Sequence, residues 1–173
     1  RLGPAAPPRY FVQPLLEQFL RIAEREGLDV TPREMNDAAL QKCILAGFSD
    51  HLARRMDSGT LRCDMVHGRR GTLTRESVAQ DAKLFVAAEV REIEGRDKEV
   101  NTLLTLATVV EPEWLRELFP DDINGQMRVF FDAAARRVYA EEQLRFRDLA
   151  LETRRVEPPP LEAAARFLAE EVL

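Results

Sequence analysis

The hydrophobic pattern of the chain changes at Gly59, and this change most restricts the folds that the chain can adopt. Upstream of Gly59, apolar residues recur at the spacing of one face of a helix. Downstream, Leu61, Cys63 and Met65 alternate with the residues between them, as in a half-buried strand. The sequence therefore predicts an α+β protein in which helices lead into a sheet.

Two helices are expected in the front part, near residues 14–26 and 32–56. Pro14 suits a first helical position, because the backbone N–H that proline lacks would have no partner within the helix there. Gly27 suits a helix end, because glycine readily adopts the left-handed conformation. The second helix would start at a capping-box motif in residues 31–34, where the threonine caps and the glutamate bonds back to its amide.

At least four strands are expected between residues 59 and 110. The extended segments are 61–66, 72–74, 83–93 and 100–110. Such short segments do not form stable isolated hairpins, so they need a closed or nearly closed antiparallel sheet. A short helix that carries Trp114 and Leu118 is expected to close this small barrel.

The tail from residue 126 admits two interpretations. Residues 127–131, 138–146 and 149–153 can be extended, but residues 133–142 can also be helical. A triple proline ends this region, and an amphipathic helix is expected from Leu161 to Val172. The predicted organisation is a linker at 1–10, a helical lead-in at 11–57, a small barrel at 58–123, and C-terminal strands with a helix at 124–173.

Charge is distributed unevenly along the chain. The whole sequence has 25 basic and 30 acidic residues and a formal net charge of -5. The segment from His51 to Arg75, however, contains six arginines and only two aspartates. This basic stripe is either an electrostatic footprint for phosphates or a solvated protein face. Its candidate nucleic-acid contacts are Arg54, Arg55, Arg62, Arg69 and Arg70.

The sequence offers no constellation for catalysis. No glycine is followed by lysine, so the phosphate-binding loop of nucleotide hydrolases is missing. Cys43, His51, Cys63 and His67 lack the close pairs of a structural zinc site, and both thiols fit apolar positions. We therefore expect no catalytic residue, cofactor or metal in this chain. Reduced thiols and the lack of an apolar run of ~20 residues predict a cytoplasmic protein with no membrane partner.

One stretch is more specific than these scattered residues. The segment Ala39-Leu-Gln-Lys-Cys-Ile-Leu-Ala-Gly-Phe-Ser-Asp-His-Leu-Ala-Arg-Arg-Met56 resembles the helix that precedes the oligonucleotide-binding (OB) fold in the C-terminal accessory region of DEAH-type RNA helicases. The likeness continues through residues 68–71, 73–78, 84–90 and 111–120. In the tail, residues 131–138 and 144–152 and the last helix after the prolines look like the bacterial HrpB-type branch of that family.

The resemblance implies an OB-like barrel that accompanies an ATP-driven motor. In that family, two RecA-like domains bind ATP and Mg²⁺, and their motifs are missing here, so no catalytic residue can be transferred to this chain. The implied partners are RNA, held weakly through its phosphates, and the RecA-like domains of the same parent chain. The opening Arg1-Leu-Gly-Pro-Ala-Ala-Pro-Pro lacks an initiator methionine, as expected for a piece of a longer protein.

Two functions remain open from the sequence. In the first, the chain contacts RNA and packs against the motor, with the basic stripe on one side of the barrel facing the RNA channel. Arg54 and Arg55 would lie at the end of the lead-in helix. Arg69 and Arg70 would lie on a turn whose backbone conformation is made possible by the two flanking glycines. In the second, a purely structural module buries the stripe against an acidic surface of the motor and never touches RNA.

Overall fold

The computed structural model of the chain describes residues 9–34, 36–94 and 100–171, in two compact units that comprise residues 1–36 and 37–173. Most of the predicted linker therefore lies outside the described residues. The first unit contributes helix α1 (Arg9–Arg25). Pro14 lies inside α1, so the predicted helix start at this residue is wrong. Proline removes one backbone hydrogen bond from an early turn here without ending the helix.

The predicted end of α1 at Gly27 is confirmed. Gly27 has a φ of 77°, a conformation that carries no Cβ penalty for glycine. The Leu28 amide donates to the Ala23 carbonyl at 2.9 Å, and the Gly27 amide donates to the Glu24 carbonyl at 3.0 Å. These two bonds form a Schellman motif, which satisfies the last carbonyls of the helix.

A single helix through residues 32–56 does not form. Residues 31–34 are not helical, and the Thr31 amide donates to Asp29 Oδ1 at 2.9 Å instead of joining a capping box. Helix α2 spans Asp37–Gly47, and after a short 3₁₀ turn the chain enters strand β1 (Leu52–Arg55). Leu52 is fully buried where β1 pairs with two other strands, and this burial outweighs the helical pattern.

Five strands form a closed barrel, in the order β1-β2-β3-β5-β4. After β1 they are β2 (Arg62–Met65), β3 (Arg70–Leu73), β4 (Leu84–Glu94) and β5 (Val100–Val109). The prediction of at least four strands between residues 59 and 110 is confirmed, and the five-stranded closure agrees with an OB-like barrel. The barrel is mixed rather than antiparallel, because β3 and β5 run parallel, with Thr72 opposite Leu103.

Hydrophobic side chains pack on both sides of the barrel wall. Phe85 of β4 belongs to the interior cluster, whereas its neighbours Leu84 and Val86 belong to an exterior cluster. Both faces of β4 are thus buried at its start, which explains the continuous apolar run there. The interior cluster contains Ala53, Cys63, Met65, Leu73, Ala79, Phe85, Ala87 and Leu104. The exterior cluster contains Leu45, Leu52, Val66, Leu84, Val86, Val110, Leu115, Phe146, Leu149 and Leu151.

The short helix expected after the barrel is confirmed as α3 (Pro112–Leu118). Pro112 occupies its first turn, where a missing N–H costs nothing. Leu115 is fully buried, and Trp114 and Leu118 pack partly buried against the exterior cluster. The helix therefore covers the barrel wall, as the sequence predicts.

The C-terminal region forms an antiparallel sheet of β6 (Ile123–Asp132), β7 (Arg137–Phe146) and β8 (Leu149–Val156), in that order. The extended interpretation of the tail is confirmed, and the helical alternative for residues 133–142 is wrong. Helix α4 (Leu161–Glu171) contacts β6 and β7 and confirms the predicted last helix, whose expected end at Val172 lies outside the described residues.

Arg147, in the turn between β7 and β8, ties this second sheet to the barrel region. Its guanidinium lies 2.9 Å from Asp122 Oδ2 and 3.3 Å from Ser49 Oγ. It also lies over the Phe146 ring, 4.9 Å from the centroid. The Ser49 contact therefore links the second sheet to the 3₁₀ turn that precedes β1.

The neighbouring Asp148 makes a second tie. Its Oδ1 accepts the His67 amide at 2.8 Å. Partial burial acts to raise the pKa of Asp148, but hydrogen bonds from the backbone amides of His67, Asp148 and Gly68 outweigh it, so the pKa lies below its ordinary value. Asp148 is therefore ionised at neutral pH and fixes the loop that leads into β3.

Candidate nucleic-acid interface

Three charged residues lie side by side across the outer wall of the barrel. Arg54 on β1 lies opposite Asp64 on β2, and Asp64 lies opposite Arg70 on β3. Arg54 Nη2 is 3.4 Å from Asp64 Oδ2, and Arg70 Nε is 3.3 Å from Asp64 Oδ1. Because the adjacent residues Ala53 and Cys63 face the interior, this arginine–aspartate rung faces outward.

One positive charge of the arginine–aspartate rung is not balanced by its carboxylate. The Arg70 side chain is 77% exposed, whereas those of Arg54 and Asp64 are 22% and 28% exposed. An ion pair at an exposed site stabilises a protein by only about 0–1 kcal/mol, so Arg70 can exchange Asp64 for another anion at small cost. Arg54 Nε is buried and has no hydrogen-bond partner among the described residues.

Arg62 extends the same surface. It precedes Asp64 by two residues on β2 and so lies on the same outer face, opposite Thr72 of β3. A polar cleft of about 220 Å³ lies beside it, and Arg70 and Asn101 also line this cleft. Two guanidinium groups next to hydroxyl and amide groups can form charge-assisted hydrogen bonds with a phosphate.

Arg69 lies in the loop before β3 and is exposed. Its Nη2 donates to the Asp50 carbonyl at 2.6 Å, and its Nε donates to the Val66 carbonyl at 3.4 Å. Both acceptors are neutral backbone groups, so they orient Arg69 without cancelling its charge. Arg69 therefore adds to the positive field at one end of the outer face.

The two glycines that flank Arg69 and Arg70 have different roles. Gly68 has a φ of 63°, as expected for a turn. Gly71 lies within β3, and its φ is not in the left-handed region. The prediction that Gly71 provides the backbone conformation of a turn is therefore wrong. Its lack of a side chain instead admits Leu104, as glycine in a strand often permits a close approach.

Arg55 is held by backbone carbonyls at one end of the barrel. Its Nε and Nη2 donate to the Thr60 carbonyl at 3.1 and 2.6 Å, and its Nη2 donates to the Ser58 carbonyl at 3.1 Å. Its Nη1 donates to the Gln80 carbonyl. The register places Arg55 opposite Cys63, on the interior side of the wall. Arg55 thus anchors two loops.

The structure separates the five predicted arginines into groups. It brings Arg54, Arg62 and Arg70 together on the outer face of the barrel, with Arg69 in the adjoining loop and Arg55 on the other side of the wall. The expected position of Arg54 and Arg55 at a helix end is wrong, since both belong to β1. A favourable helix dipole therefore does not explain these two cations. The expected position of Arg70 on a turn is also wrong, since Arg70 is the first residue of β3.

A second group of residues is visible only in the structure. Residues 51–75 contain no Phe, Tyr or Trp, but the second sheet places Phe130 and Tyr139 opposite each other, with Arg128 and Arg155 over their rings. The sequence signal is the position of Arg128 two residues before Phe130 on β6. The partners on β7 and β8 become evident only from the strand register.

The cysteine and histidine residues form no reactive group within the described part of the chain. Cys63 is fully buried, its Sγ donates to the Leu61 carbonyl, and burial raises the pKa of its thiol to about 11. His51 Nδ1 lies 3.1 Å from the Ala87 carbonyl. Across residues 9–34, 36–94 and 100–171, no three His, Cys, Asp or Glu side chains are grouped to hold a metal ion.

Comparison with known proteins gives matches among solved structures. No protein-family model and no curated sequence matches the chain. The crystal structure of the E. coli DExH-box NTPase HrpB matches with a TM-score of 0.61 and 16% identity, over 84% of this chain and 17% of that chain. A crystal structure of the Escherichia coli DEAH/RHA helicase HrpB matches with a TM-score of 0.59 and 16% identity, over 83% and 17%.

This chain shares the fold of one part of HrpB. The resemblance carried by residues 39–56 and the later segments is thereby confirmed at the level of the fold. The chain spans 17% of the length of the HrpB chains that it matches. In this HrpB-like fold, the arginine–aspartate rung lies on the outer wall of the barrel. No helix in the described part of the chain is both long and apolar enough to cross a membrane.

Proposed function

We propose that this chain is an accessory module of a DEAH-type, ATP-dependent RNA helicase, in which it contacts RNA and packs against the RecA-like motor domains. The HrpB-like fold carries this proposal. The motor domains of the parent protein would bind ATP and Mg²⁺, and the module would hold neither. We further propose that the parent is a bacterial, cytoplasmic protein.

In this proposal, RNA phosphates lie along the outer face of the barrel. Arg62 and Arg70 are the accessible contacts, Arg54 supports them from β1, and Arg69 adds to the field from the loop. Guanidinium–phosphate contacts position the nucleic acid and carry no sequence information. Binding by this face would therefore be weak, sensitive to salt and independent of sequence.

A second candidate function is motor packing without RNA contact. One observation favours it: Asp64 lies between Arg54 and Arg70 and offsets part of the charge on the outer face. Acidic residues of a motor domain would then take the places of phosphates beside Arg62 and Arg70. The role of Arg55 in this second function would be the same, because it anchors loops of the barrel.

Binding of a fluorescein-labelled oligouridylate to the chain, measured by anisotropy at low and moderate salt, separates the two functions. The wild type should bind at low salt and weaken as salt rises. The double variant Arg62→Ala/Arg70→Ala should bind markedly more weakly than the control Arg21→Ala/Arg166→Ala, which removes the same charge from exposed helical positions. Equal binding by the two double variants would contradict an RNA contact by the barrel face, and failure of the wild type to bind at low salt would favour the packing module. ATP hydrolysis by the purified chain would contradict both functions.

A further inference from the structure

We infer that the outward face of the second sheet is a separate binding site for single-stranded nucleic acid, in which Phe130 and Tyr139 stack on bases while Arg128 and Arg155 contact the backbone. We call these four residues the aromatic–arginine face. The inference rests on the proposed function for the class of partner, but it concerns a surface formed by other strands.

Strand register brings the aromatic–arginine face together. Phe130 on β6 lies opposite Tyr139 on β7, and Arg128 lies opposite Glu141. Glu141 lies in turn opposite Arg155 on β8. Since alternate residues of a strand share one face, all of these side chains lie on the same side of the sheet.

The opposite side of the sheet is buried at its centre, although Met127 and Phe131 on that side are partly exposed. Val129 lies opposite Ala140, and Ala140 lies opposite Val156. Ala140 is fully buried, whereas Arg128 and Arg155 on the other side are exposed. An incoming ligand can therefore reach the aromatic–arginine face through its two exposed arginines.

The two rings are spaced to receive neighbouring bases. The centroids of Phe130 and Tyr139 are 6.0 Å apart, and their planes are inclined by 38°. Each ring can contact one base, as successive aromatic residues do in proteins that bind single strands. Both rings are half-buried, so their orientation is set before binding and little side-chain entropy is lost.

Each ring has an arginine above it. The guanidinium carbon of Arg155 lies 4.1 Å from the centroid of Tyr139, and that of Arg128 lies 5.8 Å from the centroid of Phe130. A guanidinium over a ring can give way to a base and turn to the phosphate, or it can stack its own planar surface on the base. Both arrangements use the arginine and the ring together.

The charges on this side of the sheet complement a polyanion. Arg155 has one long ion pair, at 3.8 Å to Glu157, and its side chain remains 51% exposed. Arg128 forms no ion pair with any residue that the structure describes. Glu141, between the two arginines in register, reduces the attraction and provides a way to increase it by substitution.

The combination of rings and arginines selects a single strand over a duplex or a protein. Bases in a duplex are stacked on each other and do not offer their faces to side chains. An acidic protein surface would be attracted by the arginines, but it would make no use of two oriented rings. RNA and DNA single strands share the required chemistry, so both belong in the test.

The test measures binding of the whole chain to labelled oligouridylate and oligothymidylate of about twelve nucleotides, a length within the range of known single-strand sites. The double variant Phe130→Leu/Tyr139→Leu should bind about fivefold or more weakly to each, because one base–aromatic stack contributes on that scale. Tyr139→Phe keeps the ring and should bind more tightly than the double variant. The matched control is Phe131→Leu, the adjacent residue on the other side of β6, which should bind like the wild type.

Charge and cross-linking provide independent readouts. Glu141→Gln should tighten binding, since it removes the carboxylate between the two arginines. Ultraviolet cross-linking of the wild type to an oligonucleotide with 5-iodouridine should label Tyr139 or Phe130, and it requires no variant to fold. Cross-links confined to the barrel, or equal affinity of Phe130→Leu/Tyr139→Leu and Phe131→Leu, would overturn the inference and leave this face to a protein partner.

The outcomes distinguish this site from the one on the barrel. If Phe130→Leu/Tyr139→Leu weakens binding and Arg62→Ala/Arg70→Ala does not, the second sheet binds the strand and the barrel contact fails. The reverse pattern overturns the aromatic–arginine face and keeps the barrel contact. Failure of the wild type to bind either oligonucleotide at low salt would overturn both.

Discussion

Leu104 on β5 packs directly against the backbone of Gly71 on β3, so closely that a side chain at position 71 would force Leu104 to shift. A Cβ on Gly71 would lie 3.0 Å from Leu104 Cγ. The two strands run parallel here, with Leu73 opposite Leu104 in the register. Since Arg70 directly precedes Gly71, the same contact fixes the strand that carries Arg70 on the outer face.

Gly71→Ala should therefore destabilise the chain. Overpacking of this kind typically lowers the free energy of unfolding by about 1–3 kcal/mol, which urea denaturation can measure. Gly125→Ala in β6 is the control, because a Cβ there would meet nothing within 4 Å. If the two variants were equally stable, the close approach of Leu104 would not be the reason for the glycine.

Arg55→Lys tests whether Arg55 acts through its hydrogen bonds to backbone carbonyls or through its positive charge. Lysine keeps the positive charge but cannot reach the carbonyls of Ser58, Thr60 and Gln80 together. We expect the free energy of unfolding to fall by about 0.5–1.5 kcal/mol, the net contribution of a typical hydrogen bond, while Arg62→Lys changes stability little. Unchanged stability together with abolished RNA binding would instead make Arg55 a ligand contact.

Asp64→Asn tests the arginine–aspartate rung. The carboxylate attracts Arg54 and Arg70 and also repels a phosphate that approaches them. A unit charge at 4 Å in water contributes about 1 kcal/mol, or roughly fivefold in affinity, so Asp64→Asn should tighten RNA binding by up to this factor. Asp121→Asn gives the same change of charge at an exposed position elsewhere and should have a smaller effect. Weaker binding by Asp64→Asn would show that the carboxylate orients the arginines for RNA.

The buried thiol of Cys63 predicts a dependence of stability on alkaline pH. Burial raises its pKa from 9.0 to about 11, so between these values the unfolded chain releases a proton that the folded chain retains. The free energy of unfolding should therefore fall as pH rises through this window, and it should not change on this account below pH 9. Comparison of the wild type with Cys63→Ala by urea denaturation isolates this contribution.

Alkylation provides a second check on Cys63. At neutral pH, iodoacetamide should modify the exposed Cys43 and leave the buried Cys63 intact until the chain unfolds. Equal rates of modification of the two thiols in the folded chain would contradict the buried, protonated state.

The sequence predicted those helices and strands whose formation depends on residues close to them in the chain. The Schellman end at Gly27, the alternating strands after Gly59 and the helix that begins at Pro112 all follow from local backbone chemistry. Local signals did not predict strand β1, because Leu52 and Ala53 continue an apolar pattern that also suits the end of a helix. Only pairing with β2 and β4 decides between the two conformations.

The candidate sites depend on the register between distant strands, which a single sequence does not reveal. Arg54 and Arg70 were predicted as cations, but their shared contact with Asp64 requires three strands to be aligned. In the same way, Phe130 and Tyr139 meet only because β6 pairs with β7. The parallel pairing of β3 with β5 results from closure of the whole barrel, and no local pattern indicates it.

The salt dependence of RNA binding tests the proposed RNA contact on the barrel most directly. The measurement is the slope of log Kd against log salt concentration for the wild type and for Arg62→Ala/Arg70→Ala. Removal of one phosphate-binding cation should reduce the slope for a single strand by about 0.7, so the double variant should show a flatter dependence and weaker binding at low salt. Identical slopes for the two proteins would contradict a phosphate contact by the outer face of the barrel.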